Sequence, residues 1–202
     1  MILDQFRLDD KVAVVSAASR GIGAAIAEAL ASAGADLVIG ARSADALAEV
    51  AESIGAHGRQ VEVVAGDLTT REGMASLVDA AADRFGRIDV VVNNAGGTAP
   101  SAFLDTTEEQ FDQAFRWNVT TAFNLTQLAT PLLLESGAGS VVNIASAAAR
   151  NRSRGFVAYG TAKAAMVKMT RHMASDLAPK VRVNAISPGA IRTDALAGIL
   201  DD

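Results

Sequence analysis

Tyr159 and Lys163 are the residues of this chain whose types and spacing most directly suggest chemistry. They stand four apart in a segment with helical patterning, so their side chains share one face of a helix. A phenol titrates near 10, too high to exchange protons readily at neutral pH, and a neighbouring ammonium favours the phenolate. A phenol tuned in this way donates a proton to a ketone oxygen, or takes one from an alcohol. A Tyr/Lys pair is also common on solvated helix faces, so the pair alone does not define a site. Ser146 closes the run Asn143-Ile144-Ala145-Ser146, opposite the start of the Tyr159 segment. Its hydroxyl is suited to holding an oxygen beside Tyr159 and stabilising charge that develops there. Asn118 lies inside a long helical segment, where asparagine is mildly unfavourable. It makes either a functional hydrogen bond, through a water leading toward Lys163, or a satisfied structural one.

These residues need a frame, and the hydropathy pattern supplies one. Short apolar runs, rich in β-branched residues, occur at Val12–Ser16, Leu37–Ile39, Val61–Ala65, Ile88–Val92, Val141–Ala145 and Val181–Ile186. They are long enough for buried strands and too short for helices. Helical patterns separate them at Gly23–Ala33, Ala44–Ile54, Thr70–Phe85, Thr107–Glu135 and Ala158–Leu177. The alternation predicts an α/β fold, a doubly wound parallel sheet of the Rossmann-like type, on a single domain spanning residues 1–202.

In such a sheet ligands bind beyond the carboxyl ends of the strands. The first of those loops reads Ser16-Ala17-Ala18-Ser19-Arg20-Gly21-Ile22-Gly23. Small residues at a strand-to-helix turn let a pyrophosphate rest on the helix N-terminus, where free N–H groups and the macrodipole favour anions. The same glycines would serve simple strand–helix packing. At the second loop, Gly40-Ala41-Arg42-Ser43, there is no acid to hold a ribose 2′-OH, and Arg42 follows at once. A guanidinium pairs with a 2′-phosphate, and Arg20 is placed to join it, which favours NADP(H) over NAD(H). The alternative is two solvated arginines. Gly66-Asp67-Leu68 offers a carboxylate to an adenine amino group, and Asn93-Asn94-Ala95-Gly96-Gly97 offers amides and close backbone approach. Both are also ordinary turn sequences.

Composition excludes other classes. The net charge of −5 is wrong for a nucleic-acid binder. The absence of cysteine removes disulfides and thiolate chemistry, and two histidines far apart make no metal site, so none is expected. The longest uncharged stretch, Trp117 to Leu134, carries Asn118, Asn124, Gln127 and Pro131 and is a poor membrane span. With no leader pattern at Met1 to Lys11, the expectation is a cytoplasmic protein that binds neither membrane nor nucleic acid.

Taken in order, the glycine loop, Asn93-Asn94-Ala95-Gly96, Asn118, Ser146, Tyr159-x-x-x-Lys163 and Pro188-Gly189 resemble the short-chain dehydrogenase/reductase family along essentially the whole chain. The resemblance implies hydride transfer between NAD(P)H and a carbonyl or secondary alcohol. It assigns Tyr159 as acid/base and Ser146 as the anchor of the substrate oxygen. Lys163 would bind the nicotinamide ribose and lower the Tyr159 pKa, and Asn118 would support a proton relay. Ile191 and Thr193 match a segment that contacts the nicotinamide amide, and a homodimer or homotetramer through the helices of Asn118 and Tyr159 is implied.

The chain departs from the family pattern in two places. Ala17 stands where the family's first loop glycine is usual, and the sequence given stops at Asp202, before the family's lid and final strand. A third feature is its own: Arg150, Arg152 and Arg154 crowd the loop between Ser146 and Tyr159 and would attract an anionic substrate such as an acyl thioester, unless they are solvated or paired with a partner subunit. Gly97, Thr98, Pro100, Phe103 and Phe156 suggest a pocket for an apolar body, steroid-like or 3-oxoacyl. The competing reading is a catalytically silent nucleotide-binding scaffold; the intact Ser146, Tyr159 and Lys163 weigh against it.

Overall fold

The structure, a computed structural model, describes residues 2–191 and 193. Six parallel strands, β1 (Val12–Ser16), β2 (Asp36–Ala41), β3 (Val61–Ala65), β4 (Val90–Asn93), β5 (Gly139–Ile144) and β6 (Val181–Ile186), form one sheet in the order β3-β2-β1-β4-β5-β6. The expected doubly wound architecture is present. β1 is buried at all five positions, because helices cover both faces. One core layer joins Val14, Val38 and Val91 to Leu77 and Leu125, and the opposite layer joins Val15, Leu37 and Ile39 to Leu47 and Ile54.

The helices are α1 (Gly21–Ser32), α2 (Ala44–Ala56), α3 (Arg71–Phe85), α4 (Glu108–Phe115), α5 (Thr121–Glu135) and α6 (Val157–Leu177). Ser43 caps α2, Thr70 caps α3, and Thr107 with Gln110 forms a capping box on α4. The Arg20 side chain at the N-cap of α1 makes no capping hydrogen bond. The N–H groups of Gly21, Ile22 and Gly23 have no acceptor among the described residues, which leaves that helix end free for an anion.

Two expectations change. The segment 107–135 is not one helix, and Asn118 is not inside an α-helix: a π turn at Arg116–Thr120 divides it. The wider turn frees carbonyls that side chains then satisfy. Asn118 Nδ2 donates to Ala114 O at 2.9 Å, and Thr121 Oγ1 donates to Trp117 O at 2.8 Å. Ser146 lies two residues beyond β5, where it caps a short 3-10 turn at Ala147–Ala149.

Strand order reverses between β1 and β4, which opens a crevice at their carboxyl ends. Ser16 stitches that point. Its Oγ accepts from Asn94 N (3.1 Å) and Ala95 N (3.2 Å) and donates to Val92 O (3.3 Å).

Candidate active site

The loops after β1, β2, β3 and β4 converge on a cavity of about 710 Å³. Ala17, Ser19, Arg20, Gly21, Ile22, Arg42, Leu68, Asn94, Gly96 and Thr193 all line it. Ten of the residues singled out for the cofactor thus meet in one place, and both arginines are among them. Gly23 and Asn94 hold the loop in shape: Asn94 Nδ2 donates to Ala17 O at 2.9 Å, and a Cβ on Gly23 would collide with that carbonyl and with the Asn94 amide. Ala17 has φ +53°, in the left-handed region where a side chain is strained, so the substitution for the family's glycine falls on a position that favours glycine.

Asp67 is not brought into the cavity. Its side chain is exposed, and Oδ1 accepts from Thr69 N at 2.9 Å in a local turn. That hydrogen bond, reinforced by Arg42 nearby, holds its carboxyl below the usual range. Ala95 is buried beneath the loop through Ser16. Pro188 O accepts from Ala147 N at 2.8 Å, so it ties the segment after β6 to the Ser146 turn. Gly189 and Ile191 are exposed. Asn93, although next to Asn94, belongs to the interior: its Nδ2 donates to Thr126 Oγ1 (2.9 Å) and Asn143 Oδ1 (2.7 Å), and Asn143 donates on to Thr170.

Lys163 is 3% exposed, and its Nζ donates to Ile144 O at 2.8 Å. The same nitrogen lies 5.7 Å from the centre of the Tyr159 ring. Burial lowers its pKa to about 8. Asn118 is wholly buried; its Oδ1 accepts from Gly97 N (2.9 Å) and its Nδ2 donates to Gly97 O (3.2 Å) as well as to Ala114 O. Gly96 packs tightly between these two side chains. A Cβ there would lie 2.7 Å from Asn118 Oδ1 and 2.8 Å from Lys163 Nζ. Ser146 Oγ accepts from Ala148 N at 3.1 Å, which leaves the hydroxyl proton for an outside acceptor. The turn that follows packs closely on the start of α6, where a Cβ on Gly160 would come within 3.0 Å of Ala148 O.

Reading the sequence missed two contributors. Trp117, the sole tryptophan, lines the glycine-loop cavity and also a second cavity of about 550 Å³. A large aromatic directly before Asn118 was the available signal. Ser16 was the other: it is the one polar residue of an otherwise apolar strand. The second cavity shares Arg42 and Trp117 with the first. It shares Ser101 and Gly155 with a third, of about 1080 Å³, beside Phe156 and the 148–154 loop. The three lie in series.

Comparison with known proteins agrees with this geometry. The family model described as short chain dehydrogenase matches residues 11–202. An oxidoreductase of Mycobacterium tuberculosis is 55% identical over 197 residues, covering 97% of this chain and 75% of its own length. The 7α-hydroxysteroid dehydrogenase of Escherichia coli is 39% identical over 198 residues, covering 98% and 77%. Among solved structures, a 7α-hydroxysteroid dehydrogenase complexed with NADH and 7-oxo glycochenodeoxycholic acid superposes with a TM-score of 0.93 at 40% identity, over 97% of this chain and 77% of that one. A short-chain type dehydrogenase/reductase from Mycobacterium marinum gives 0.94 at 36% identity, over 100% and 81%. The chain belongs to the short-chain dehydrogenase/reductase family. It is an oxidoreductase of CH–OH and C=O groups that works with a nicotinamide cofactor on a small molecule. Among the described residues no helix is long and apolar enough to cross a membrane.

Proposed function

We propose that the chain interconverts a ketone and a secondary alcohol on an apolar, steroid-like or 3-oxoacyl body, prefers NADP(H), and carries both duties on one domain, residues 1–202. The observation that carries the catalytic reading is Lys163: a buried ammonium beside the Tyr159 ring, held by Ile144 O, with no carboxylate partner among the described residues. A buried cation left this way is unfavourable for the fold and useful for chemistry. Tyr159 gives its proton to the carbonyl oxygen, or takes it back in the oxidative direction, beside the buried Lys163 ammonium. Ser146 donates to the same oxygen. Asn118 supports the relay by fixing Gly97 and the π turn beside Lys163. When bound, the nicotinamide supplies or accepts hydride at the carbinol carbon.

The free N-terminus of α1 suits a pyrophosphate, and the cavity in front of it carries Arg20 and Arg42. Supporting NADP(H) are those two guanidiniums and the lack of an acid at Ala41. Asp67, Leu68, Pro188, Gly189, Ile191 and Thr193 complete the proposed cofactor contacts. Titration with NADPH and with NADH, followed by quenching of Trp117, tests the preference. NADPH binds more tightly in the wild type, and Arg42→Ala removes roughly tenfold or more of that advantage while sparing NADH. Equal binding of both cofactors to the wild type overturns it.

The assembly proposed is a homodimer or homotetramer, in the cytoplasm. Its support is the groove of about 370 Å³ between α5 and α6, rimmed by Phe123 and Pro131, with Phe123 43% exposed. A monomeric mass in solution excludes it.

A further inference from the structure

We propose that the cavity of about 1080 Å³ between the β4–α4 and β5–α6 loops is the subsite for the anionic end of an elongated apolar substrate, with Arg152 and Arg154 as the groups that bind the anion. This rests on the catalytic reading above and adds the substrate's charge and length to it.

Apolar surface forms the walls: Pro100, Phe103, Ala148 and Phe156 face the space, and Phe103 is 74% exposed. Arg152 and Arg154 stand among them. Among the described residues their guanidinium groups have no hydrogen-bond or ion-pair partner, and none of the described residues lining the cavity is acidic. On a chain of net charge −5, two such groups beside exposed aromatic surface are complementary to an amphipathic anion, a carboxylate or sulfate on an apolar body. Arg150 does not line the space, which reduces the arginine cluster read from sequence to two residues.

The walls are tied together. Ser101 N donates to Gly155 O at 2.9 Å, and Gly155, at φ +78°, lets Pro100 approach so closely that a Cβ would sit 3.2 Å from Pro100 Cβ. The cavity also abuts the proposed catalytic groups. Ala148, which lines it, donates its N–H to Ser146 Oγ. Phe156, which also lines it, meets Tyr159 edge-on with ring centres 6.0 Å apart. A ketone placed at Ser146 and Tyr159 thus sits next to residues of the apolar wall that also carries the arginines.

Two matched probe pairs test this. 8-Anilinonaphthalene-1-sulfonate and uncharged N-phenyl-1-naphthylamine differ by the sulfonate, and their fluorescence reads binding without turnover. In Arg152→Gln/Arg154→Gln the sulfonate probe weakens about fivefold or more, and the neutral probe holds within about twofold. Ala164→Trp, which fills the cavity from α6, displaces both. An unchanged sulfonate probe in the double variant, or its displacement by NADPH alone, overturns the subsite. For turnover, dehydrocholate and its methyl ester share a ketone-bearing body and differ in the carboxylate. The double variant raises KM for the acid and leaves kcat and the ester unchanged; equal effects on acid and ester overturn the proposal. If the wild type reduces neither compound while the fluorescent probes behave as stated, the steroid-like reading of the substrate body fails and the subsite stands.

Discussion

The two ends of the sheet each bury a charge, and they treat it in opposite ways. At the amino end, Asp89 precedes β4 and is 4% exposed. Its carboxylate accepts from Arg87 Nε (2.8 Å) and Nη2 (2.7 Å), Lys11 Nζ (3.1 Å) and Val12 N (3.0 Å). Burial pushes its pKa up, but those donors outweigh it and hold the carboxyl below the usual range. At the carboxyl end, Lys163 is as deeply buried, yet among the described residues one carbonyl answers it, and burial drives its pKa down to about 8. A compensated charge fastens β1 to β4. An uncompensated one keeps its field for Tyr159 and for a ligand. The fold is therefore secured at one end of the strands and left electrostatically open at the other.

The sharpest way to break this contrast is Tyr159→Phe. Removing one hydroxyl at the open end lowers kcat by about 10²–10⁴-fold and leaves thermal stability within about 0.5 kcal/mol. Retained turnover in that variant removes Tyr159 from the mechanism. Asp89→Ala should do the reverse, destabilising by about 3 kcal/mol because Arg87 and Lys11 keep part of their hydration, while the folded fraction retains its kcat. Denaturant unfolding measures this, and an unchanged midpoint would mean the ion cluster is dispensable.

Lys163 makes the comparison quantitative through pH. An unfolded lysine keeps its proton to about 10.5, whereas the folded one releases it above about 8. Between those values the unfolded state binds more protons, so stability rises with pH, by on the order of 3 kcal/mol across the window. Below pH 8 the penalty is fully present. Lys163→Met loses this rise along with most activity; parallel stability–pH curves for the two proteins would refute the uncompensated charge.

The smallest effect belongs to the glycine loop. Ala17→Gly relieves a left-handed alanine, about 1–2 kcal/mol, but adds unfolded-chain entropy of about 0.5–1 kcal/mol. A net gain of up to about 1.5 kcal/mol and a modest tightening of cofactor binding should follow, read by melting with and without NADPH. Loss of binding would show that the Ala17 methyl group makes a contact of its own.

Strand positions and most helices were legible because β1 and its neighbours are buried on both faces and must be short, apolar and β-branched. The Tyr159/Lys163 pairing was legible for an equally local reason: helical spacing fixes which side chains share a face. The break at Asn118 was not legible. Its cause is a set of side-chain bonds to Gly97 and Ala114, and a periodicity of hydrophobic residues carries no record of a carbonyl satisfied by an amide. The hydrogen-bond partners of Asp67 and Asn93 were not legible for a related reason. One turned to its own backbone at Thr69 and the other inward to Thr126 and Asn143, choices that depend on what stands opposite.

By itself, then, the amino-acid sequence determined the alternation of strand and helix, the uncapped glycine loop, and the presence of a tyrosine and a lysine on one face. These follow from local sterics and from side-chain polarity along the chain. Only the tertiary structure decided that Arg20 and Arg42 share a cavity, that Ser146 accepts from Ala148 N, and that Lys163 is buried with no counter-charge among the described residues. Hydrogen bonding and desolvation depend on neighbours distant in sequence, and these are fixed only when the sheet assembles.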